Sequence, residues 1–409
     1  MNKKGFWITL SLFNLGITAF LGLLLRSKIL FAIPSINYKY LLSGHSHFAF
    51  GGWAALALVT LMVHDLLSAG DKRIYQWILW GLQLTSLGMV FTFPFTGYAT
   101  FSIIFSTLHI LVNYLFAYAF IKDVRKRVKE KSTRLLGITS VICLVLSSIG
   151  PFALAYLMAT KQGNANLQRD LIYTFLHFQY NGFFIVAALS LYVHRLQSVQ
   201  LQLNPLVRKF SVALCLSIVP TLFLSLLWHN YFSFFLIAII GCVLVLIGVF
   251  LFGKLLCSTW KKGPFTNALA RSLFILSFLS LGLKMILQIG PIFPSLGNSV
   301  YGDRPLIIGF LHLVFLGFLT LYLLASFVED GYFTRTGKTT RIPFFIFTFG
   351  VIINETLLMI QGLGILFFFN TSIYNPLLWI NSMVMMIGAF MLAFISARKL
   401  KGDKDQLLH

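Results

Sequence analysis

Leu42-Ser43-Gly44-His45-Ser46-His47-Phe48-Ala49-Phe50-Gly51-Gly52-Trp53-Ala54-Ala55-Leu56-Ala57-Leu58-Val59-Thr60-Leu61-Met62-Val63 carries no Asp, Glu, Lys or Arg. Coiled at ~1.5 Å per residue it reaches ~33 Å, enough to cross the ~30 Å hydrocarbon layer of a bilayer. A soluble core helix rarely stays apolar for so long, and two imidazoles near one end of such a run are unusual in lipid. The stretch therefore reads as a membrane-spanning helix with a polar task.

The rest of the chain agrees. Hydrophobic residues make up 58% of the 409 residues, charged residues 11%, and the mean hydropathy is +0.86. An average soluble domain is ~25% charged, so soluble and disordered readings fall together. Similar runs lie near 6–25, 74–95, 98–121, 135–159, 171–193, 208–228, 231–253, 270–290, 305–328, 342–366 and 376–397. With the quoted stretch, the expectation is an all-α, polytopic membrane protein: a twelve-transmembrane-helix bundle, with 1–409 as one domain. The first run follows Lys3 and Lys4 and has no convincing cleavage site, so it reads as a retained span rather than a signal peptide. Cys143, Cys215, Cys242 and Cys257 lie in or beside apolar runs without a Cys-x-x-Cys pair and read as packing residues. No internal sequence repeat stands out, and no nucleic-acid motif is present.

The net charge of +21 orients the spans. If the N-terminus is inside and the spans alternate, Arg26, Lys28, Lys39, Lys161, Arg169 and Arg304 fall outside and Lys284 falls within a span. Every other Lys and Arg of the 32 then lies inside, which is the positive-inside bias of membrane proteins. Both termini are expected in the cytoplasm, and the basic run 122–134 faces anionic lipid.

Orientation sorts the nine histidines. His64, His194 and His409 fall at inner helix ends or on the tail and read as solvated. His45 and His47 (second span), His177 (sixth), His229 (seventh) and His312 (tenth) fall within roughly 12 Å of the outer boundary. His109, in the fourth span, lies deeper. One imidazole in a membrane is ordinarily a helix–helix contact, but a group at one depth on four spans suits iron or copper, which accept neutral imidazole. Hard cations would need oxygen ligands instead.

This arrangement resembles the catalytic subunit of the haem–copper oxidase superfamily, and it also resembles the NnrS family of haem- and copper-containing membrane proteins. The second span, His45-Ser46-His47-Phe48 with Gly51 and Gly52, is similar to the oxidase helix whose histidine binds low-spin haem. His45 and His47 lie roughly 200° apart around a helix, so one of them is the expected ligand. In the tenth span, Phe310-Leu311-His312 with Gly317 is similar to the oxidase His-x-His-x₄-Gly; His312 fits the second low-spin ligand, and Phe310 stands where the high-spin ligand would be. Trp228-His229-Asn230-Tyr231 resembles the copper-site segment with Asn230 replacing one histidine, and His177 occupies the place of another copper ligand. The resemblance thus implies one haem b held between the second and tenth spans, without a complete dinuclear centre. His177, His229 and His109 either hold copper or another metal ion, or hydrogen-bond across helices. It further implies respiratory or nitric oxide-related redox metabolism in an inner membrane, with an electron-donor protein or quinol and a diatomic gas such as NO or O2 as partners besides the lipid bilayer.

Lys284 and Glu355 are ionisable groups deep in the ninth and eleventh spans. They could pair with each other; alternatively Lys284 meets a haem carboxylate, and Glu355, Asn354 and Gln361 form a proton path. Two rival readings remain. A secondary transporter would use Lys284, Glu355 and the histidines as a proton-coupled site, with helices broken near Gly150-Pro151 and Pro220. A haem-binding sensor or assembly protein would bind haem without turnover. No Cys-x-x-Cys-His, Walker loop or His-Glu-x-x-His occurs, so c-type haem, ATP hydrolysis and zinc-protease chemistry lack support. The orientation has a direct test. A fluorescent protein fused at His409 is expected to fluoresce, and alkaline phosphatase inserted between Lys161 and Arg169 to be active; the opposite pattern would overturn it.

Overall fold

A computed structural model describes residues 3–199, 204–260, 263–293, 296–297, 304–333, 338–366 and 372–405. Lys261, Lys262, Arg335 and His409, counted above, lie outside the described residues. The secondary structure described is helical throughout, and twelve helices are long and apolar enough to cross a membrane. They are α1 (Lys3–Leu30), α2 (Tyr38–Leu66), α3 (Arg73–Thr96), α4 (Thr100–Arg127), α5 (Lys131–Ala159) and α6 (Ala165–Gln197), followed by α7 (Asn204–His229), α8 (Phe232–Thr259), α9 (Ala268–Ile292), α10 (Pro305–Glu329), α11 (Thr340–Gly364) and α12 (Tyr374–Gly402). The protein is a multi-pass, all-α membrane bundle. Even numbering puts both termini on one face, called here the terminal face; the other is the far face.

Three helices lie inside. In the most apolar stretches of α2 and α6, 78% and 83% of residues are buried, against 28% in α4 and α8; in α10 the figure is 50%, but its terminal-face half is buried without interruption from Gly317 to Val328. The nine others surround them: α12 packs on α1, α3 on α4, α7 on α8, and α11 on α12. Their outward side chains, such as Phe91, Phe101, Tyr118, Phe232 and Phe250, stay exposed and form the lipid-facing girdle.

The inner helices share a local design that becomes visible in three dimensions. Each carries a histidine followed at three residues by an aromatic side chain and at five by glycine: His47, Phe50, Gly52; His177, Tyr180, Gly182; His312, Phe315, Gly317. Directly after each histidine the helix widens into a π-helical segment, over Phe48–Ala55, Phe178–Phe184 and Leu313–Thr320. Such widened turns concentrate at functional sites because they re-aim side chains.

At Gly182 and Gly317 the missing side chain lets the preceding outer helix approach, and at Gly52 that helix bonds the backbone. Asn14 of α1 donates to the Gly52 carbonyl at 2.6 Å. A Cβ on Gly182 would stand 2.4 Å from Cys143 of α5, and one on Gly317 would stand 2.9 Å from Ser280 of α9. At the centre Phe50 stacks on Phe315 at 4.4 Å, and Phe184 meets Phe315 edge-on at 5.0 Å. Trp53 of α2 donates to Thr320 of α10 at 3.0 Å. The chain therefore repeats its packing every four helices, which corrects the absence of a repeat expected from sequence: three short, degenerate motifs widely separated along the chain carry it.

On the terminal face, charge holds the inner helices together. Lys4 of α1 donates to Asp65 of α2 and, at 2.8 Å, to Asp330 beyond α10. Arg195 of α6 donates to Asp330 at 2.6 Å and lies 3.6 Å from Asp65. Burial works against ionisation of Asp330, but Arg195 and Lys4 more than offset it and hold the carboxyl below its ordinary 3.8. A carboxyl depressed on folding contributes stability above its unfolded value and loses it as pH falls through the folded one. Asp330→Asn is therefore expected to cost about 2–3 kcal/mol in denaturant melts at pH 7, short of the ~3–5 kcal/mol of a fully buried broken pair because the cluster keeps some solvent. The difference between variant and parent should shrink below about pH 4. An unchanged midpoint at pH 7 would show that the cluster is not a stabilising contact.

Candidate functional site

The far-face half of the inner core gathers most of the histidines, and the helices aim them in different directions. His45 and His47, two residues apart on α2, point to opposite sides. His45 turns toward α1 and α10. It lies within electrostatic reach of His312 on α10. Gly22 of α1 lies against the His45 ring: a Cβ there would be 3.4 Å from Cε1. Nδ1 of His45 is buried without a hydrogen-bond partner.

Across from it, Nδ1 of His312 bonds the Ile308 carbonyl at 2.7 Å. A carbonyl only accepts, so Nδ1 holds the proton and Nε2 keeps its lone pair. Nε2 of His312 is therefore able to bind a metal while backbone anchors the other side of the ring, the usual way a ligating ring is oriented, and Nδ1 of His45 is a second buried nitrogen without a partner. Two neutral, neighbouring imidazoles on separate helices form a donor set that fits haem iron.

His47 faces α3. Its ring stacks on Phe93 at 4.5 Å with 7° between planes, and Nε2 lies 3.2 Å from the Tyr98 hydroxyl. His109 of α4 belongs to the same side. The Thr85 hydroxyl gives its single hydrogen to the Gly81 carbonyl at 2.7 Å, so it accepts from Nδ1 of His109 at 2.9 Å. Gly51 makes room: a Cβ there would stand 2.8 Å from both the His109 ring and the Ser86 hydroxyl.

His177 has both nitrogens engaged. Nε2 donates to the Ile218 carbonyl of α7 at 2.8 Å, and Nδ1 accepts from Asn181 at 3.0 Å. His229, at the far-face end of α7, lies 2.9 Å from Asp170, which also accepts from Trp228 at 2.9 Å. His109, His177 and His229 are thus each held by a different set of partners. Among the described residues no group of three or more His, Cys, Asp or Glu side chains is placed to hold a metal ion. Each of the three makes a hydrogen bond between helices.

Lys284 of α9 is wholly buried. Its ammonium donates to the side-chain oxygens of Asn181 and Gln288, and it lies 5.7 Å from the Tyr180 ring and 5.8 Å from that of Phe310. The cation is accommodated by two amide dipoles and two aromatic faces rather than by a carboxylate. The expected pairing with Glu355 is not made. Glu355 instead accepts from Asn354 at 3.1 Å, while Gln361 donates to Asn375 of α12 at 3.2 Å. Asn354 and Glu355 lie together, and Gln361 turns to another helix.

Two features escaped the sequence reading. One is the four-residue charge cluster of the terminal face, of which Lys4 and Arg195 had been counted only as inside charges. The other is Arg26 of α1, counted as an outer-joint residue, which acts electrostatically on both His45 and His312. Its four-residue spacing from Gly22, and Gly22's from Thr18, was the available signal.

No family model and no curated protein matches the chain. Its assignment therefore rests on side-chain chemistry. Removing the buried ammonium tests one part of it. Lys284→Met leaves the Asn181 and Gln288 oxygens without a donor, and unmet buried acceptors cost about 1–3 kcal/mol. The variant should melt several degrees below the parent in detergent; equal melting would mean those amides find other donors.

Proposed function

We propose that this protein is a haem-b-binding integral membrane protein of haem–copper oxidase-like type, acting in electron transfer or in the redox chemistry of a diatomic gas such as NO or O2. The observation that carries the reading is the pairing of His45 on α2 with His312 on α10, each with one nitrogen free to bind a metal. His45 and His312 would be the axial ligands, and His47, committed to Phe93 and Tyr98, would not. Bound haem would supply a one-electron couple whose potential the two imidazoles and the surrounding charge set. The chain's own residues would orient the rings through the Ile308 carbonyl at His312 and the close backbone of Gly22 at His45, and the aromatic cluster of Phe50, Phe184 and Phe315 would exclude water beneath them.

A second metal centre is not part of this proposal. Where the resemblance would put a high-spin haem ligand stands Phe310, and against its ring lies the Lys284 ammonium, tied through Asn181 to the fully engaged His177. An ammonium repels a metal cation, and the donor set there offers no free imidazole. The orientation read from charge puts the terminal face in the cytoplasm and the paired histidines near the outer surface of an inner membrane, with a quinol or an electron-donor protein as the reductant.

One observation favours the rival reading of a secondary transporter. Lys284 is a desolvated cation with no carboxylate partner among the described residues, the kind of group that proton-coupled carriers use. The two readings separate on one measurement. Purified protein is expected to carry iron and to show a reduced-minus-oxidised b-type spectrum, lost in His45→Ala and in His312→Ala and retained in His47→Ala. A colourless, iron-free protein would favour the transporter, and a spectrum unaltered by His312→Ala would remove the proposed ligand pair.

A further inference from the structure

The far-face ends of α1, α2 and α3 enclose a cleft of about 430 Å³, whose lining includes Lys28, Ser35, Asn37, Tyr38, Tyr40 and Phe95. That volume is of the size that holds a small molecule. The local sequence builds it. Asn37 caps α2 by accepting from the backbone of Lys39 and Tyr40, and the Lys28 ammonium donates to the Ile33 carbonyl, which ties down the loop between α1 and α2. Gly97 turns the chain after α3 with φ at +62° and seats the Tyr40 ring, 2.4 Å from where a Cβ would stand. Gly44 admits Pro94 in the same way at 2.8 Å.

The charge around this cleft is one-sided. Residues 26–44 hold Arg26, Lys28 and Lys39 and no Asp or Glu, and residues 91–109 hold no Asp, Glu, Lys or Arg. Three of the six cations that the charge count places outside thus gather on one joint. Among the described residues neither Lys28 nor Lys39 has a carboxylate within ion-pair distance. The N-terminal end of α2, with its partial positive charge, opens on the same cleft. An anion is the ligand such a place takes.

The surroundings indicate which anion. Tyr38, Tyr40 and the nearby Tyr98 are the amphipathic rings that sit at headgroup level in a bilayer. Leu84, Phe91 and Phe95 share one face of α3, are 59%, 70% and 78% exposed, and cover about 16 Å of helix. Phe95 also lines the cleft, so this apolar track starts at the cleft and runs toward the midplane. A free phosphate ion gains nothing from it, whereas a hydrocarbon chain attached to the anion does.

We infer that the cleft binds the phosphate headgroup of an anionic phospholipid from the far-face leaflet, with Lys28 as its counter-charge and an acyl chain laid along Leu84, Phe91 and Phe95. The site is separate from the histidines and does not depend on the haem reading. Its test uses the full-length protein, delipidated in detergent, with lipid binding followed by native mass spectrometry. The probes are phosphatidylglycerol, phosphatidylcholine with the same chains, and glycerophosphoglycerol, which is the first headgroup without chains.

The parent is expected to bind phosphatidylglycerol at least about fivefold more tightly than phosphatidylcholine, the worth of one basic residue beside an anionic lipid. Glycerophosphoglycerol should bind far more weakly than either. Lys28→Gln should lose that fivefold preference, while Lys161→Gln, which removes an equal charge from another far-face joint, should keep it. Ser35→Trp fills the cleft without touching the Lys28 contact, and it should also abolish the preference; it decides alone if Lys28→Gln does not fold. Equal binding of the two phospholipids by the parent would overturn the inference, as would an unaltered preference in Ser35→Trp or an equal loss in Lys161→Gln. Glycerophosphoglycerol binding as tightly as phosphatidylglycerol would put a soluble phosphodiester in the cleft in place of the lipid.

Discussion

Lys4, Asp65, Arg195 and Asp330 alternate in sign where α1, α2, α6 and the end of α10 converge, and the arrangement of the rest follows from that convergence. Lipid gives no hydrophobic drive to bring apolar helices together; association relies on close packing, hydrogen bonds and charge in protected places. The inner helices supply all three. Gly182 and Gly317 admit α5 and α9 to close approach, Asn14 of α1 bonds the Gly52 carbonyl at the corresponding position, aromatic rings from α2, α6 and α10 meet at the midpoint, and the charge cluster ties one end. The terminal-face ends are tied, and the imidazoles of α2 and α10 lie in the opposite half.

Much of the architecture could be read from the chain because the bilayer imposes a length and a composition on every span. The expected run of 42–63 and the observed Tyr38–Leu66 differ only in polar ends such as Tyr38, Lys39 and Asp65, which hydropathy excludes but which continue the helix. The helix count was legible for the same reason. What could not be read was which of two adjacent histidines faces which neighbour. A helical wheel puts His45 and His47 on opposite sides but is silent on whether α1 or α3 lies there. That depended on Gly22 on one side and on Phe93 and Tyr98 on the other, residues with no sequence relation to the motif.

Charge was misread in an instructive way. Positive-inside counting treats Lys4 and Arg195 as solvated markers of orientation, yet both sit in a largely enclosed cluster because the chain's few acidic residues, Asp65 and Asp330, end helices that meet them. Lys284 shows the converse. An intramembrane lysine suggests a carboxylate partner, and Glu355 was the only deep candidate; the structure satisfies the ammonium with amide oxygens and ring faces from α6, α9 and α10 instead. Asparagine and glutamine are common enough that no sequence pattern marks them as the partners of a buried cation.

The fourfold spacing of the inner helices bears on how one fold divides its chemistry. Three equivalent positions carry histidine, and their surroundings differ by a handful of side chains. His177 is saturated by Ile218 and Asn181, and His47 stacks on Phe93 with Nε2 at the Tyr98 hydroxyl, whereas His312 keeps Nε2 free and has a second imidazole, His45, one half-turn from the repeat position on α2. The extra histidine is what distinguishes the α2–α10 interface from the others. The α6 and α9 side places a cation, Lys284, inside an amide cage. By that difference, the interface between α2 and α10 keeps imidazole nitrogens without a protein partner, whereas the polar groups between α6 and α9 are satisfied by the protein itself.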